Sequence, residues 1–282
     1  MRSKLTWLKP IGVLAVAGVV LTSWLGRPPE SLRLVVLDVG QGDAILIRTP
    51  SGSDILIDGG PDGSVVPALE RHLPPADRTL ELVVLTHPDL DHVGGLPDVA
   101  KHFQIERVIE TRRRSQSQAD RRWEAALAEQ GSQVIDVAAG DRLTVDEVQF
   151  DVLWPEAGRS LESMPTNDTS VVMLVTYQDD TLLLTGDIGL DVEDRLLQTG
   201  GLEAVDVIKV PHHGSISSSS AEFLSALRPT TALISVGSGN AFGHPHPVVL
   251  RRYEQHEARV FRTDLAGDVV CESRGQGFSC IP

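Results

Sequence analysis

The first half of the chain alternates short apolar runs with turn residues. The runs at 32–39, 44–49 and 55–57 have the length of strands and are separated by glycine-containing turns, which predicts a β-meander. Beyond the meander, the spacing of apolar positions predicts helices at 64–73, 95–103 and 119–130, and strands at 82–85, 107–109, 133–137 and 148–153.

A similar order of elements follows residue 169. Strands at 170–177 and 181–185 form a predicted hairpin. The later pattern predicts helices at 190–199, 220–227 and 248–257, and strands at 205–210, 231–236, 259–262 and 268–272. The chain beyond residue 30 is therefore predicted to contain two similar halves.

Polar residues follow the predicted strands at several points. Those that come just after an apolar run are Asp58, the stretch 86–95, Asp187, His212, His213 and His244. When strand ends meet along one edge of a sheet sandwich, side chains of this kind come together in a cleft. We therefore expect one edge of the fold to carry the chemistry.

The stretch 86–95 concentrates metal-binding side chains. His87, Asp89, Asp91 and His92 place two imidazoles and two carboxylates within six residues, directly after an apolar run. On an extended or looped backbone, residues 87, 89 and 91 point to one side and residue 92 to the other, unlike the helical motif with two histidines four residues apart. This pattern indicates a metal site at the end of a strand.

The placement of the other histidines extends this site. Six of the nine lie in predicted loops, namely His87, His92, His212, His213, His244 and His246, and the other three lie on predicted helices. With Asp89, Asp91 and Asp187 they supply enough donors for two metal ions. Two ions lower the pKa of a water toward neutrality and clamp the attacking and leaving oxygens of a displacement. The sequence therefore predicts a hydrolase.

Composition fits a soluble globular domain. The chain has 282 residues, 41% of them hydrophobic, and a formal net charge of −14. This charge argues against a protein that coats nucleic acid by neutralising many phosphates. Because a bound dication reverses the local field, a polyanionic substrate is disfavoured by the charge without being excluded.

Residues 1–30 differ from the rest of the chain. Arg2, Lys4 and Lys9 precede an apolar run at 11–25, in the order of a secretory signal or signal anchor. This predicts an exported protein that is secreted, periplasmic or tethered to the outer face of the cytoplasmic membrane through residues 5–25, with a hydrolase domain at 31–282. The alternative is a cytoplasmic protein whose N-terminal helix packs on its own core.

Two further features leave alternatives open. Cys271 and Cys280 either close a small disulfide loop, as in an oxidising compartment, or are two unpaired buried thiols. The arginines at 112–114 either form a phosphate-contacting lid or, more commonly for such runs, a solvated loop before a helix.

Several motifs together resemble one family. They are LDVGQGDA at 37–44, LIDGG at 56–60, THPDLDH at 86–92, NDTSVV at 167–172, LTGD at 184–187, KVPHHGS at 209–215 and FGHP at 242–245. In this order they resemble the metallo-β-lactamase superfamily and, within it, the hydrolase domain of ComEC-like DNA-uptake competence proteins. The resemblance covers about residues 32–265. It implies an α/β fold, a four-layer αββα sandwich with a dinuclear site along one edge.

The resemblance implies roles for the matching residues. His87 and Asp89 would hold a first ion, Asp91 and His92 a second, and Asp187 would bridge both. Either His212 or His213 would complete the second site, Asp58 would orient the metal loops through hydrogen bonds, and Asp91 would also act in catalysis.

The sequence departs from the wider superfamily at the first ion. Asp89 replaces the usual second histidine, and Asn167 or Asp168 stands where a third histidine is usual. An oxygen-rich shell suits manganese as well as zinc. We therefore predict two divalent ions, Zn or Mn, with the first one more weakly bound.

Candidates for contact with the substrate lie in the same loops. Lys209 would stabilise charge on a phosphoryl group, unless it only pairs with an acidic neighbour. His244 would protonate a leaving alkoxide or bind phosphate, whereas His246 is expected to be structural. The remaining candidates are Ser170 and, unless they only hold the first hairpin, Asp38, Gln41 and Asp43.

These observations predict an exported metal-dependent hydrolase of phosphodiester bonds. The resemblance implies DNA as the substrate class, and no protein partner is predicted. Two alternatives remain: hydrolysis of a small ester, lactone, amide or phosphodiester, or a non-catalytic binding paralogue that has kept the fold.

Overall fold

The computed structural model describes residues 31–111, 113–115 and 117–282. The predicted signal or anchor at 1–30, with the membrane attachment through residues 5–25, lies outside these residues, as does Arg112 of the arginine run. Within the described ranges, no helix combines the length and the apolar composition that a membrane crossing requires.

Strands and short helices alternate along most of the described chain. The strands are β1 (Leu32–Val36), β2 (Ile45–Arg48), β3 (Asp54–Ile57), β4 (Thr79–Leu85), β5 (Gln104–Glu110), β6 (Gln133–Asp136), β7 (Arg142–Val145), β8 (Val148–Trp154), β9 (Val172–Tyr177), β10 (Asp180–Leu184), β11 (Val207–Lys209), β12 (Thr231–Ile234), β13 (Arg259–Arg262), β14 (Val269–Ser273) and β15 (Phe278–Ile281). The α-helices are α1 (Val65–His72), α2 (Leu90–Val93), α3 (Leu96–His102), α4 (Gln118–Gln130), α5 (Leu190–Gln198), α6 (Ala221–Leu227), α7 (Pro247–Gln255) and α8 (Thr263–Ala266).

The strands form two sheets with related topologies. The first has the order β15-β14-β1-β2-β3-β4-β5-β6, and the second has the order β13-β12-β11-β10-β9-β8-β7. In each sheet an antiparallel meander leads into parallel strands, which are β3 to β6 in the first and β10 to β13 in the second. Parallel neighbours need a crossover, and the helices between them provide it. The C-terminal β14 and β15 return to the first sheet beside β1.

Three apolar clusters hold four layers together. One lies between the two sheets, a second packs α1, α3 and α4 on the first sheet, and a third packs α5, α6 and α7 on the second. The central strands are covered on both faces, so their sequences are continuous apolar runs. Residues 82–85 of β4 are an example. The αββα sandwich implied by the family resemblance is confirmed.

Several short elements escaped the sequence prediction. The expectation of an extended or looped backbone across 87–92 is wrong beyond Asp89, because Asp89 is the extended residue before the one-turn helix α2. The strands β7 and β15 were also missed, since each is a four-residue strand at the edge of its sheet and carries little periodicity.

Contacts in the fold bear on the two open alternatives outside the centre. Cys271 and Cys280 face each other on β14 and β15 and form a disulfide.

Arg113 donates from Nη1 to the carbonyl oxygen of Glu162 at 3.0 Å, and Arg114 pairs with Glu110 at 2.5 Å. The side chains of Arg113 and Arg114 are thus engaged within the chain, which favours a loop for these two residues.

Candidate metal centre

The polar loops at the ends of the central strands converge at one edge of the sandwich. Backbone hydrogen bonds join them, because the amide of Asp43 donates to the carbonyl oxygen of Asp91 at 3.1 Å and the amide of Gly59 donates to that of His92 at 2.7 Å. Gly42 makes this approach possible, since a Cβ there would lie 2.2 Å from the Asp91 oxygen. The structure therefore brings the predicted side chains of both halves together.

Asp91, His92, Asp187 and His213 form a compact group, which we call the inner cluster. One ligand atom from each lies within 4.8 Å of all the others. His213 Nε2 is 3.3 Å from Asp91 Oδ2 and 3.2 Å from Asp187 Oδ2, and His92 Nε2 is 3.4 Å from the same Asp187 oxygen. The loops after β4, β10 and β11 all contribute, so the cluster exists only in the folded chain.

His87 and Asp89 form a second, more open group, the outer pair. His87 Nε2 and Asp89 Oδ2 are 3.7 Å apart, and the Asp89 side chain is 38% exposed whereas His87 is buried. The His87 ring lies 4.1 Å from the His92 ring, measured between centroids. The outer pair is therefore adjacent to the inner cluster and faces solvent on its Asp89 side.

Hydrogen bonds fix the tautomer of each buried imidazole. His92 Nδ1 donates to Asp58 Oδ2 at 2.8 Å, and His213 Nδ1 donates to the carbonyl oxygen of Ser235 at 2.8 Å. Thr86 Oγ1 donates its own proton to Asp58, so it accepts from His87 Nδ1 at 3.1 Å. With a proton held on every Nδ1, Nε2 is the nitrogen of each ring that is left to bind a metal ion.

Those Nε2 atoms are the ones that the protein leaves without a partner. Within the described residues, Nε2 of His87, His92 and His213 and Oδ1 of Asp187 are buried and accept or donate no hydrogen bond. Buried polar atoms are normally paired. Converging imidazole nitrogens and carboxylate oxygens are the donors that zinc, iron and manganese use, so the residues present fit divalent metal ions.

Electrostatics also favour cations here. Burial opposes protonation of His92 and His213, but the neighbouring carboxylates, Asp187 first, raise the pKa of both imidazoles well above the usual value. Burial likewise opposes the charge of Asp187, yet the two histidines hold its pKa well below the usual range. Without a metal ion, His92 and His213 therefore remain protonated. Binding of a metal ion would release these protons.

Strained backbone positions the ligands. Asp58, His212 and His213 have φ values of 59°, 50° and 52°, in the left-handed region. Residues other than glycine adopt it at a cost, and it clusters at functional sites. At 212–213 the tight turn sends His213 into the inner cluster, while His212 lies at its rim and accepts from Asn167 Nδ2 at 3.1 Å. The structure therefore places His213, and not His212, among the second-ion candidates.

Another buried group, Asp43 with Asp58 and His92, also has the composition of a metal site. Both oxygens of Asp58 and one of Asp43 already have partners, since Asp58 accepts from Thr86 and His92 and Asp43 Oδ2 lies 2.6 Å from the ammonium of Lys209. Burial raises the pKa of Asp58, and His92 opposes that rise. We interpret this group as the support beneath the inner cluster.

Lys209 corrects a prediction. Its side chain is 1% exposed, pairs with Asp43 and donates to the carbonyl oxygen of Val210 at 3.0 Å. Burial opposes its charge, but Asp43 and Asp187 raise its pKa above the usual value. An ammonium enclosed in this way cannot contact a substrate, so the expected substrate-side role is wrong and pairing with an acidic neighbour is the observed arrangement.

The remaining predicted residues mostly hold loops. Ser170 Oγ donates to the carbonyl oxygen of Asn167 at 2.6 Å and accepts from the amide of Asp187 at 3.0 Å. Asp168 accepts from the amide of Gly189 at 2.9 Å. It therefore anchors the loop, and the idea that it supplies the missing ligand of the first ion is not supported by this contact.

Two loop residues near the first hairpin act in the same way. Gln41 Oε1 accepts from the amide of Gly237 at 3.3 Å, and Asp38 Oδ1 accepts from the amide of Gly40 at 3.2 Å. Asp38 therefore holds the turn of the first hairpin as expected, whereas Gln41 and Asp43 connect that turn to the second half of the chain through Gly237 and Lys209.

The two C-terminal histidines of the centre differ in environment. His246 precedes α7 and its Nδ1 accepts from the amide of Val248 at 3.2 Å, as expected for a structural residue. His244 is half-buried, and its ring lies 5.7 Å from that of His212. Burial, and then the charge of His212, lower the pKa of His244, so it is neutral near pH 7.

Sequence reasoning did not assign Ser235 or Thr86. Ser235 contributes a carbonyl oxygen at the end of β12, and a backbone atom leaves no signal in the sequence. Thr86 stands in the motif before His87, and its hydroxyl bridges Asp58 and His87. The adjacent motif could have indicated Thr86, whereas Ser235 required the fold.

Comparisons with known proteins agree on the fold. The sequence matches the Metallo-beta-lactamase superfamily over residues 37–238. It is 12% identical to the metallo-beta-lactamase fold protein YhfI from Bacillus subtilis, with a TM-score of 0.59 over 86% of this chain and 100% of that one. Zn²⁺-bound PqqB from Methylobacterium extorquens gives 13% identity and a TM-score of 0.55 over 91% and 92%. Likeness at this identity concerns the fold alone.

Relatives of higher identity come from longer proteins. ComE operon protein 3 of Bacillus subtilis (strain 168) is 32% identical over 251 residues, which cover 83% of this chain and 32% of that protein. Competence protein ComA of Neisseria gonorrhoeae is 31% identical over 268 residues, which cover 92% and 35%. The chain thus spans about a third of the length of these relatives.

Proposed function

The chain belongs to the metallo-beta-lactamase superfamily, and from this premise we propose that it is a metal-dependent phosphodiesterase that acts on nucleic acid. One observation carries the hydrolase part of the proposal. Three buried Nε2 atoms and an Asp187 oxygen converge without hydrogen-bond partners, within the described residues, at the edge where both halves meet.

In this proposal the chain holds two divalent ions, Zn or Mn. The outer pair, His87 and Asp89, would hold the first, the inner cluster would hold the second, and Asp187 would reach both. Once bound, such ions lower the pKa of water toward neutrality and stabilise charge on phosphoryl oxygens.

The surrounding residues have separate tasks. Asp58 and the Ser235 carbonyl oxygen keep protons on Nδ1 of His92 and His213, so that each Nε2 faces the centre. The Asp43–Lys209 pair lies beneath them and excludes water from that side. His244 lies at the rim, where its ring N–H would donate a hydrogen bond to a leaving oxygen.

Two observations support a nucleic-acid substrate. The relatives named above include a competence protein, and the Asp89 carboxylate makes the outer pair richer in oxygen than a site of imidazoles alone. Hard oxygen donors suit manganese, and paired divalent ions are the arrangement that nucleases and phosphatases use.

A second candidate is the hydrolysis of a small ester, lactone, amide or phosphodiester. A cavity of about 470 Å³ adjoins the centre and is lined by residues that include Asn167, Asp187, Leu190 and His212. This volume suits a small molecule. The test below therefore includes small substrates.

We also propose that the chain works outside the cytoplasm. The disulfide between Cys271 and Cys280 supports this, because such bonds persist mainly in oxidising compartments. Cell fractionation with antibody detection tests it, and recovery in the cytoplasm with both thiols free would contradict it.

The function is tested by a panel of substrates. The metal-loaded chain is incubated with plasmid DNA, single-stranded DNA, bis-p-nitrophenyl phosphate, small esters and lactones, and a chromogenic β-lactam, with and without EDTA. We expect EDTA-sensitive cleavage of the phosphodiesters. Turnover of the esters or lactones alone would favour the second candidate, and no EDTA-sensitive turnover of any substrate would favour a non-catalytic paralogue.

A further inference from the structure

A line of aromatic rings leads from solvent to the inner cluster. Phe242, on the loop between β12 and α7, is 70% exposed. Its ring lies 5.8 Å from that of His244, with 17° between the planes, and the His244 ring lies 5.7 Å from that of His212. The His212 ring is in turn 6.3 Å from that of His213. Phe242 is thus the solvent end of a series that reaches a candidate ligand.

The loop that carries Phe242 is held by one side chain. Asn240 Nδ2 donates to the carbonyl oxygens of Gly237 and His244, at 3.0 and 2.7 Å. Its Oδ1 accepts from the amides of Phe242 and His244, at 3.2 and 3.0 Å. Because these bonds fix the turn, the exposed ring is presented in one place, and binding to it costs little conformational entropy.

We propose that Phe242 is a specificity residue that stacks on a nucleobase next to the phosphodiester at the metal centre, with His244 as the second ring of the platform. The inference rests on the proposed function. A flat, exposed phenyl face next to a centre that handles phosphate oxygens fits a ligand with both a base and a phosphate.

The negative net charge of the chain favours binding of nucleic acid by base stacking over binding by surface cations. The net charge is −14, and Lys209, the lysine in the centre, is enclosed with Asp43. Affinity for a phosphate backbone normally comes from surface cations, whereas stacking on an aromatic ring does not depend on charge. An acidic protein can therefore hold a nucleic acid by its bases.

Stacking of a base on Phe242 also favours single-stranded over duplex substrates. A base inside a duplex has neighbours on both faces and must be extruded before a protein ring can cover it. An unpaired base needs no extrusion. The substrate class is therefore single-stranded nucleic acid, or the frayed end of a duplex.

Other apolar side chains surround the centre. Leu90, Leu190 and Ile216 are exposed and stand within three residues of Asp91, Asp187 and His213. Single exposed apolar residues are common on protein surfaces, but these three lie on the loops that carry the ligands. They add exposed apolar surface on the segments that carry the candidate ligands.

Turnover provides the first test. The metal-loaded enzyme is assayed on a single-stranded DNA oligonucleotide and on an all-abasic oligonucleotide of the same length. We expect Phe242→Ala to raise KM for the base-bearing strand about tenfold, with little change in kcat or in KM for the abasic strand. Phe242→Trp should keep the low KM. Leu265→Ala, at an apolar residue that is 76% exposed outside the centre, is the matched control.

Binding without turnover provides the second test. In EDTA, a strand containing 2-aminopurine loses fluorescence when the base stacks on the protein. We expect quenching with the wild type, Phe242→Trp and Leu265→Ala, and less quenching with Phe242→Ala. An RNA strand of the same sequence shows whether the sugar is also read.

The outcomes separate the inference from the function on which it rests. Equal KM values for the wild type and Phe242→Ala on the base-bearing strand, or equal quenching by the two proteins, would overturn the stacking role. If no phosphodiester is cleaved but quenching depends on Phe242, the proposed function fails and the base-binding site stands.

Discussion

The inner cluster and the outer pair are adjacent, but they differ in the number, spacing and exposure of their donor residues. The four residues of the inner cluster lie within 4.8 Å of one another, and each histidine has its Nδ1 tied to a fixed acceptor. The outer pair has one buried imidazole, His87, and a carboxylate, Asp89, that is 38% exposed. The inner cluster thus has four converging donor residues, three of them buried and Asp91 34% exposed, whereas the outer pair has only two and opens to solvent on the side of Asp89.

This difference indicates how the two ions would divide their work. A prearranged set of donors needs no ordering when a cation binds, so the inner cluster should hold its ion tightly. The open side of the outer pair leaves room for a substrate oxygen. Because fewer protein donors contact the first ion there, that ion should be bound more weakly. Four changes test this division, beginning with the one expected to have the largest effect.

Asp187→Asn should affect both regions, because Asp187 touches both inner histidines and is the residue proposed to reach the two ions. We expect a loss of metal measured by mass spectrometry of the native protein, and a fall in turnover of at least about 10³-fold. Asp191→Asn, at an exposed carboxylate four residues on, is the control. Normal turnover with full metal content would contradict the assignment.

Lys209→Met should destabilise the support beneath the inner cluster. It leaves the buried Asp43 carboxylate without its ammonium partner, which costs about 3 kcal/mol of unfolding free energy. In the double variant Asp43→Asn with Lys209→Met, no unpaired charge remains and most of the stability should return. Urea unfolding of the metal-free proteins measures both, and a double variant as unstable as the single one would argue against the ion pair.

Asp58→Asn should weaken the inner cluster more than the outer pair, because Asp58 contacts His92 directly and His87 only through Thr86. Asparagine tolerates the positive φ of this position, so the backbone is preserved while the negative charge on the His92 hydrogen bond is lost. We expect about 10- to 100-fold weaker binding of the more tightly held ion, measured by calorimetry. An equal loss at both ions would show that the two regions are not independent.

Asp89→His should make the outer pair resemble a nitrogen-rich site. We expect about tenfold tighter zinc binding at the weaker ion and a lower preference for manganese. Competition between the two metals, followed by calorimetry, measures this change. An unchanged preference would mean that Asp89 does not contact the first ion.

Much of this was predictable from the sequence, for identifiable reasons. The strand before His87 was recognised because an apolar run between turn residues is a local signal, and the ligand candidates were recognised because histidine and aspartate cluster in short motifs. Helix α2 was missed because its single turn, residues 90–93, lies within the metal-binding motif, and the motif was interpreted as an extended or looped segment.

The sequence by itself determined the composition of the centre and the order of its motifs, since these depend on residue type, and the resemblance of those motifs to a family implied the four-layer architecture. Only the tertiary structure decided which atoms meet. It selected His213 over His212 through two consecutive left-handed residues, enclosed Lys209 with Asp43, and placed the carbonyl oxygen of Ser235 behind His213. These contacts join residues that are far apart in the chain, and they depend on backbone geometry and on burial. A local pattern of side chains in the sequence predicts neither of these two properties.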